Sequence, residues 1–137
     1  MTLLQLIEAL EAKALAIPDI RSCVRNDITR INEERSIEYG VFGITQDTHT
    51  YSQSGQMTYT LNLFYIDRQV NSDANELEIQ SHAIEVLKLI LKAAYTEWPA
   101  AVGDARFSPF NHRFQDLCSG AYATVSFTFM EGYCPEV

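Results

Sequence analysis

Two segments of the chain alternate between apolar and polar side chains over most of their length, and this alternation constrains the fold more than any other feature. From Met57 to Tyr65 every second residue is apolar or aromatic. From Ala121 to Met130 the residues at 123, 125, 127 and 129 are apolar, whereas those between them carry hydroxyl groups. Strands with one buried and one wetted face show this period of two. The pattern therefore predicts an antiparallel sheet that is covered on one side only.

The N-terminal segment has the helical period instead. Residues 2–16 place apolar side chains at three- and four-residue spacing, at Leu3, Leu6, Ile7, Leu10 and Ala14. Thr2 followed by Gln5 fits a capping box, and the residue before Pro18 is pushed out of helical geometry. These features predict an amphipathic helix over residues 2–16.

A second and longer helix is predicted over residues 74–96. Its apolar stripe consists of Leu77, Ile84, Leu87, Leu91 and Tyr95, joined by Ala83, Ile90 and Ala94. Ser72 or Asp73 can cap its start, and Trp98 with Pro99 ends it. This spacing is the strongest helical signal in the chain.

The segment between these helices predicts a long β-hairpin over residues 37–67. Residues 37–53 pair with 56–67 around a turn at Ser54 and Gly55. Because a strand has about five or six residues on average, such a hairpin extends beyond the core. Its tip, from Gln46 to Gln56, is almost entirely polar. We therefore expect an arm that projects from the body.

The remaining segments complete an α+β fold, a mostly antiparallel sheet with two helices packed on one face. C-terminal strands are predicted within 104–130, at 104–112 and 120–130. Residues 20–24 fit a short strand, and residues 27–34 fit either a helical turn or a loop. A chain of 137 residues indicates one domain, residues 1–137, in which 131–137 form a tail.

Charge and composition exclude several classes of protein. The formal net charge is −8, from 18 acidic and 10 basic residues. This balance argues against nucleic-acid binding, sequence-specific binding included, and against an anionic membrane surface as partner. No segment approaches the about 18 consecutive apolar residues of a membrane span, and the N-terminus does not resemble a signal peptide. We therefore expect synthesis in a cytosol-like compartment and no membrane contact.

Residues that could carry chemistry do not combine into a known catalytic set. His82 shares a helix face with Glu78 and Glu85, which fits either a carboxylate–histidine metal site or a solvated helix face. The solvated face is favoured, because no second helix offers matching ligands. His49 and His112 stand alone, and the nucleophile-elbow and phosphate-loop motifs are absent from the sequence. We predict no catalytic residue, no cofactor and no metal ligand, and hence a protein that is not an enzyme.

Protein–protein contact is the better prediction. Tyrosine is enriched at interfaces, and the chain has seven Tyr residues, several of them at alternating strand positions. An arm that leaves the body gains stability by pairing with a neighbour. We expect hairpin residues 46–58 to contact other subunits, in particular His49, Tyr51, Gln53, Met57 and Tyr59.

Three runs of sequence resemble a known group of proteins. They are YTLNLFYIDR at 59–68, NELEIQS at 75–81 and PFNHRFQDLCSGAYATVS at 109–126. They resemble small virion proteins of tailed phages that infect gut Bacteroidales, the crAss-like group included. The order of elements is also similar to that of phage tail-terminator and tail-completion proteins. The likeness covers about residues 3–133 and includes no catalytic signature.

The resemblance implies a ring-forming structural subunit at the neck or the head-proximal end of a phage tail. Such a ring caps the tail tube and joins it to the connector. The implied partners are copies of the same chain and neighbouring neck, connector or tail-tube proteins. The implied location is the virion, after synthesis in the host cytoplasm. A heterologous interface closes into a ring when its rotation closes, and an acidic surface does not hold passing DNA.

Two other functions remain open at this point. One is a small metal-dependent hydrolase that uses His82, Glu78 and Glu85. The other is an adaptor or inhibitor that binds one protein partner as a monomer.

Overall fold

A computed structural model describes residues 1–26, 39–68, 76–113 and 117–131. Within these ranges the chain forms two helices and six strands. In chain order they are α1 (Leu3–Leu15), β1 (Ser22–Arg25), β2 (Val41–Gln46), β3 (Thr50–Tyr51), β4 (Gln56–Arg68), α2 (Glu76–Glu97), β5 (Arg106–Arg113) and β6 (Leu117–Met130).

These elements confirm the predicted α+β class. The strand order is β1-β2-β4-β6-β5, and β3 pairs with β4. Every pairing is antiparallel except that of β1 with β2. Both helices contribute to one core with the same face of the sheet. Neither helix in the described ranges is long and apolar enough to span a bilayer.

Helix α1 begins as predicted. Thr2 accepts a hydrogen bond from the Gln5 amide at 3.2 Å, and the Gln5 side chain accepts one from the Thr2 amide at 2.8 Å. The capping box therefore satisfies two amide groups that a helix start leaves free. The buried side of α1 consists of Leu6, Ile7, Leu10 and Ala14.

Helix α2 buries most of its predicted stripe. Its buried residues are Ala83, Val86, Leu87, Ile90, Leu91 and Ala94. Leu77 was expected in the stripe, but its side chain is exposed. At about 100° of rotation per residue, Leu77 lies about 110° from the line through Leu87 and Ile90. The prediction for Leu77 was therefore wrong, because its spacing matches the edge of the stripe and not its centre.

The long projecting hairpin is not confirmed. Strands β2 and β3 pair with one edge of β4, as the hairpin required. The other edge of β4 pairs with β6 along its full length, from Gln56 opposite Met130 to Arg68 opposite Cys118. Strand β4 is therefore an interior strand and not half of a free arm. Alternation in a sequence shows which face is buried, but it does not show how many neighbours a strand has.

The polar side chains of β4 find partners on β6. The hydroxyl groups of Thr58 and Thr128 are 3.0 Å apart, as are those of Thr60 and Ser126. The Thr124 hydroxyl donates to the Asn62 amide oxygen at 2.7 Å. Cross-strand hydroxyl pairs of this kind stabilise antiparallel sheets. These pairs give the polar side chains of β4 hydrogen-bond partners within the sheet itself.

The other strand predictions agree with the structure within a few residues. The short strand is β1, and the C-terminal strands are β5 and β6. The charged segment 27–34 and the tail beyond residue 131 lie outside the described residues.

Candidate interface at the distal end of the sheet

The five residues predicted to contact a neighbour lie on or beside one end of the sheet. We call this region the distal end and define it as β3, the turn 52–55, the first residues of β4 and the last residues of β6. Residue pairs Tyr51–Met57 and Gln56–Met130 join its strands.

The turn at the distal end is held to the body of the protein. The Gly55 amide donates to the Ser52 carbonyl at 3.1 Å, and Gly55 has a φ of 86°, a conformation that favours glycine. The Glu131 amide donates to the Gly55 carbonyl at 2.6 Å. The turn is therefore attached to the chain that leaves β6, which agrees with the absence of a free arm.

Tyr51 and Gln53 face outward. Tyr51 is 61% exposed, and its hydroxyl donates to the Glu131 carboxylate at 2.8 Å. This hydrogen bond, together with the negative charge of Glu131, raises the pKa of Tyr51. Gln53 is exposed in the turn. These two side chains are open to a partner.

His49, Met57 and Tyr59 are placed differently. Tyr59 is only 7% exposed, and its hydroxyl donates to the Met1 carbonyl at 3.1 Å. His49 lies edge-on to the Tyr59 ring, with centroids 5.5 Å apart. Met57 is partly buried against the core. The structure thus brings His49 and Tyr59 together and directs Tyr59 inward. For all five residues, contact with another subunit stays a prediction.

A groove of about 410 Å³ opens beside the distal end. It is mostly apolar, and its lining includes Gln56, Trp98, Pro99, Ala101, Phe129 and Met130. Met130 is 55% exposed. The groove therefore presents apolar surface to solvent next to the predicted contact segment.

Trp98 gives this groove a rigid wall. The indole is 3% exposed and meets the rings of Phe127 and Phe129 edge-on, at centroid distances of 6.4 and 5.8 Å. The Lys13 ammonium lies 4.7 Å from the indole centroid and also pairs with Glu97. The buried Trp98 Nε1 has no hydrogen-bond partner among the described residues. An indole packed on several sides in this way keeps the shape of the groove fixed.

The opposite end of β4 has a different character. A cleft of about 740 Å³, which we call the polar cleft, is lined by Asp19, Arg21, Tyr65, Asp67, Arg68 and His82, among others. His82 Nε2 lies 2.7 Å from the Asp19 carboxylate. The His82 ring also lies edge-on to Tyr65, with centroids 5.8 Å apart. Charged and hydrogen-bonding groups thus dominate this end.

Two of the three residues considered for a metal site, His82 and Glu85, have other partners in the structure. His82 pairs with Asp19, in the connection between α1 and β1, and Glu85 pairs with Lys88 at 3.1 Å. In the four described ranges, no group of three or more His, Cys, Asp or Glu side chains could hold a metal ion.

Sequence reasoning missed both the groove and the Asp19–His82 pair. Trp98 followed by Pro99 signalled only a helix end, although a buried tryptophan at the start of a connection can form a groove wall. Asp19 and His82 lie far apart in the chain, so no local pattern could join them. Only the packing of α1 and α2 on one face brings them together.

Comparison with known proteins does not identify this arrangement. No model of a protein family matches the chain, and no curated protein matches it significantly. A functional proposal for the chain depends on its own residues, their geometry and the resemblance in its sequence.

Proposed function

We propose that the chain is a structural subunit of a phage tail that assembles into a ring at the neck or head-proximal end. The distal end of the sheet forms the contact between subunits. The observation that supports this proposal is the exposure of Tyr51 and Met130 beside an apolar groove, within and next to the segment predicted for contact.

The chemistry of the distal end suits a protein interface. Tyrosine, methionine and tryptophan are enriched in such interfaces, whereas charged residues are depleted at their centres. Tyr51 offers a large exposed ring, and Met130 offers an adaptable apolar side chain. The Trp98 indole behind them is already fixed by its neighbours. Little conformational freedom is lost when a partner binds a surface that is ordered in advance.

The proposed contact is heterologous. Tyr51 of one subunit enters the groove beside Trp98 and Met130 of the next subunit, and that subunit offers its own Tyr51 to a third. A contact of this type generates a ring when its rotation closes. The two surfaces are different, so the contact does not require a twofold axis.

Side chains, rather than the β5 edge of the sheet, carry this contact. Strand β5 stands at one end of the strand order, and Pro109 in it has no amide hydrogen to offer an added strand. Proline in an edge strand is a common protection against edge-to-edge pairing. Extension of the sheet past β5 is therefore disfavoured.

The test is self-association of purified protein and of a matched pair of variants. Light scattering from micromolar to millimolar concentration, together with negative-stain electron microscopy, is expected to show association and rings. The double variant Tyr51→Ser, Met130→Gln is expected to lose both. Leu89→Gln is the control, because Leu89 is also an exposed apolar side chain but lies on α2. This control is expected to associate like the parent chain.

Two results would overturn parts of the proposal. A protein that stays monomeric at the highest concentration, and that is also absent from purified virions of the phage that carries its gene, is not a ring subunit. A monomer that captures one defined protein partner is the adaptor considered above. Rings that form equally well from the double variant would show that the contact between subunits does not lie at the distal end.

A further inference from the structure

Tyr65 is the least expected member of the polar cleft. Its side chain is only 2% exposed, yet it is part of the cleft lining. Its hydroxyl lies beside Gly40, 3.4 Å from the point where a Cβ on that glycine would stand. No described residue forms a hydrogen bond with this hydroxyl. The ring of Tyr65 is buried while the residue lines the cleft, so its hydroxyl is in place to hydrogen-bond a polar group bound there.

The hydroxyl is a hydrogen-bond donor at neutral pH. Burial, more than the nearby charges of Asp67 and Asp19, raises the pKa of Tyr65, and the positive charge of Arg21 acts in the opposite direction. The phenol therefore stays protonated and donates to an acceptor such as a carboxylate oxygen.

Charges of both signs surround this donor. Arg21 lines the cleft and forms no ion pair with any described residue. Asp67 also lines it, and one of its oxygens accepts a hydrogen bond from the Arg68 amide at 2.8 Å. A pure anion would meet the carboxylates of Asp19 and Asp67, and a pure cation would meet the guanidinium groups. A ligand that carries both charges matches this mixed lining.

We propose that the polar cleft binds a small zwitterion of the amino-acid type. Its carboxylate accepts from the Tyr65 hydroxyl and pairs with Arg21, and its ammonium group pairs with Asp67. The cleft volume of about 740 Å³ is in the range of small-molecule sites. The Asp19–His82 pair forms one wall of the site and takes no part in charge pairing with the ligand. This site is independent of the distal end and of ring formation.

Three probes that share the 3-methylbutyl group test the charge requirement. L-leucine carries both charges, isoamylamine carries only the ammonium group, and isocaproate carries only the carboxylate. Titrations followed by amide NMR are expected to show L-leucine binding at least about tenfold more tightly than either single-charge probe, since each removed pair costs a charge-assisted hydrogen bond. The amide of Gly40, which lines the cleft beside the Tyr65 hydroxyl, is expected to shift most.

Matched variants test the assigned residues. Tyr65→Phe keeps the ring and is expected to weaken L-leucine binding by about fivefold to tenfold, the effect of one hydrogen bond. Arg21→Gln is expected to remove the preference for L-leucine over isoamylamine. Leu89→Gln and Arg106→Gln, exposed positions outside the cleft, are the controls and are expected to bind like the parent chain. The NMR spectrum of each variant also verifies its fold.

The proposal is overturned if L-leucine binds no more tightly than both single-charge probes, or if it does not bind at millimolar concentration. It is equally overturned if Tyr65→Phe and Arg21→Gln bind L-leucine unchanged. All titrations are repeated with the double variant Tyr51→Ser, Met130→Gln. Because that variant is expected to bind L-leucine normally, failure of the ligand site and failure of the ring proposal are distinguishable.

Discussion

The two ends of β4 share one strand but differ in chemistry. At the distal end, Gln56 borders an apolar groove, whereas at the other end Tyr65 forms part of a charged cleft. These residues are about 30 Å apart along the strand. The alternation of the strand itself is the same at both ends. The difference comes from the connections that cover them, residues 98–101 after α2 and residues 18–21 after α1.

The largest effect on stability is expected from alanine substitutions at two glycines, Gly120 beside the polar cleft and Gly55 at the distal end. A Cβ on Gly120 would lie 1.9 Å from the Tyr65 carbonyl oxygen, so Gly120→Ala forces β6 away from β4 beside the cleft. We expect a loss of about 3 kcal/mol in the free energy of unfolding, the upper range for overpacking. Gly55→Ala is the comparison, since its Cβ would meet no atom closer than 3.4 Å but its φ is positive. It should lose about 1 kcal/mol.

Urea denaturation of both variants provides the measurement. Equal losses of unfolding free energy in the two variants would show that β4 and β6 can separate at Gly120 at no greater cost than that of an alanine in the distal turn. That result would contradict the close strand contact described at Gly120.

A second prediction compares two tyrosines in alkaline solution. Burial is the main cause that raises the pKa of Tyr65, whereas the hydrogen bond to Glu131 is the main cause for Tyr51. Since the folded-state pKa of Tyr65 is raised, its contribution to stability is fully present below about pH 10, the ordinary pKa of tyrosine. The contribution is lost as the pH rises further. Tyr65→Phe should therefore flatten the fall in stability above that pH.

Absorbance titration of phenolate distinguishes the two causes. Glu131→Gln removes the negative charge near Tyr51 and should move the Tyr51 transition toward its ordinary pKa. The Tyr65 transition should stay where it is in that variant. If both transitions move together, the two phenols are not governed by separate local environments.

The smallest expected effect on stability is at the Asp19–His82 contact of the polar cleft. Asp19 and His82 are both substantially exposed, and exposed pairs contribute less than about 1 kcal/mol. Asp19→Asn should accordingly leave the urea midpoint nearly unchanged at neutral pH. A loss comparable to that of Gly120→Ala would mean that this pair holds α1 and α2 together, which the exposed geometry does not support.

Much of the fold could be predicted because local patterns determine it. The capping box of Thr2 and Gln5, the buried side of α2 and the alternation in β4 and β6 each depend on residues close in sequence. The interior position of β4 could not be predicted, since pairing with β6 joins residues far apart in the chain. Exposure of Tyr51 follows from a polar segment around it, but the groove beside Trp98 depends on packing that no local pattern encodes.

The hydrogen bond that joins Glu131 to the distal turn has a practical consequence. Glu131, the last described residue, donates to the Gly55 carbonyl, and Met1 accepts from Tyr59. Both described chain ends therefore emerge near the distal end and far from the polar cleft. A fluorophore attached at residue 1 or residue 131 would crowd the surface proposed for assembly and leave the polar cleft open. Labels at these two positions would block the ring sterically, and a label meant to leave assembly undisturbed belongs on the exposed side of α2.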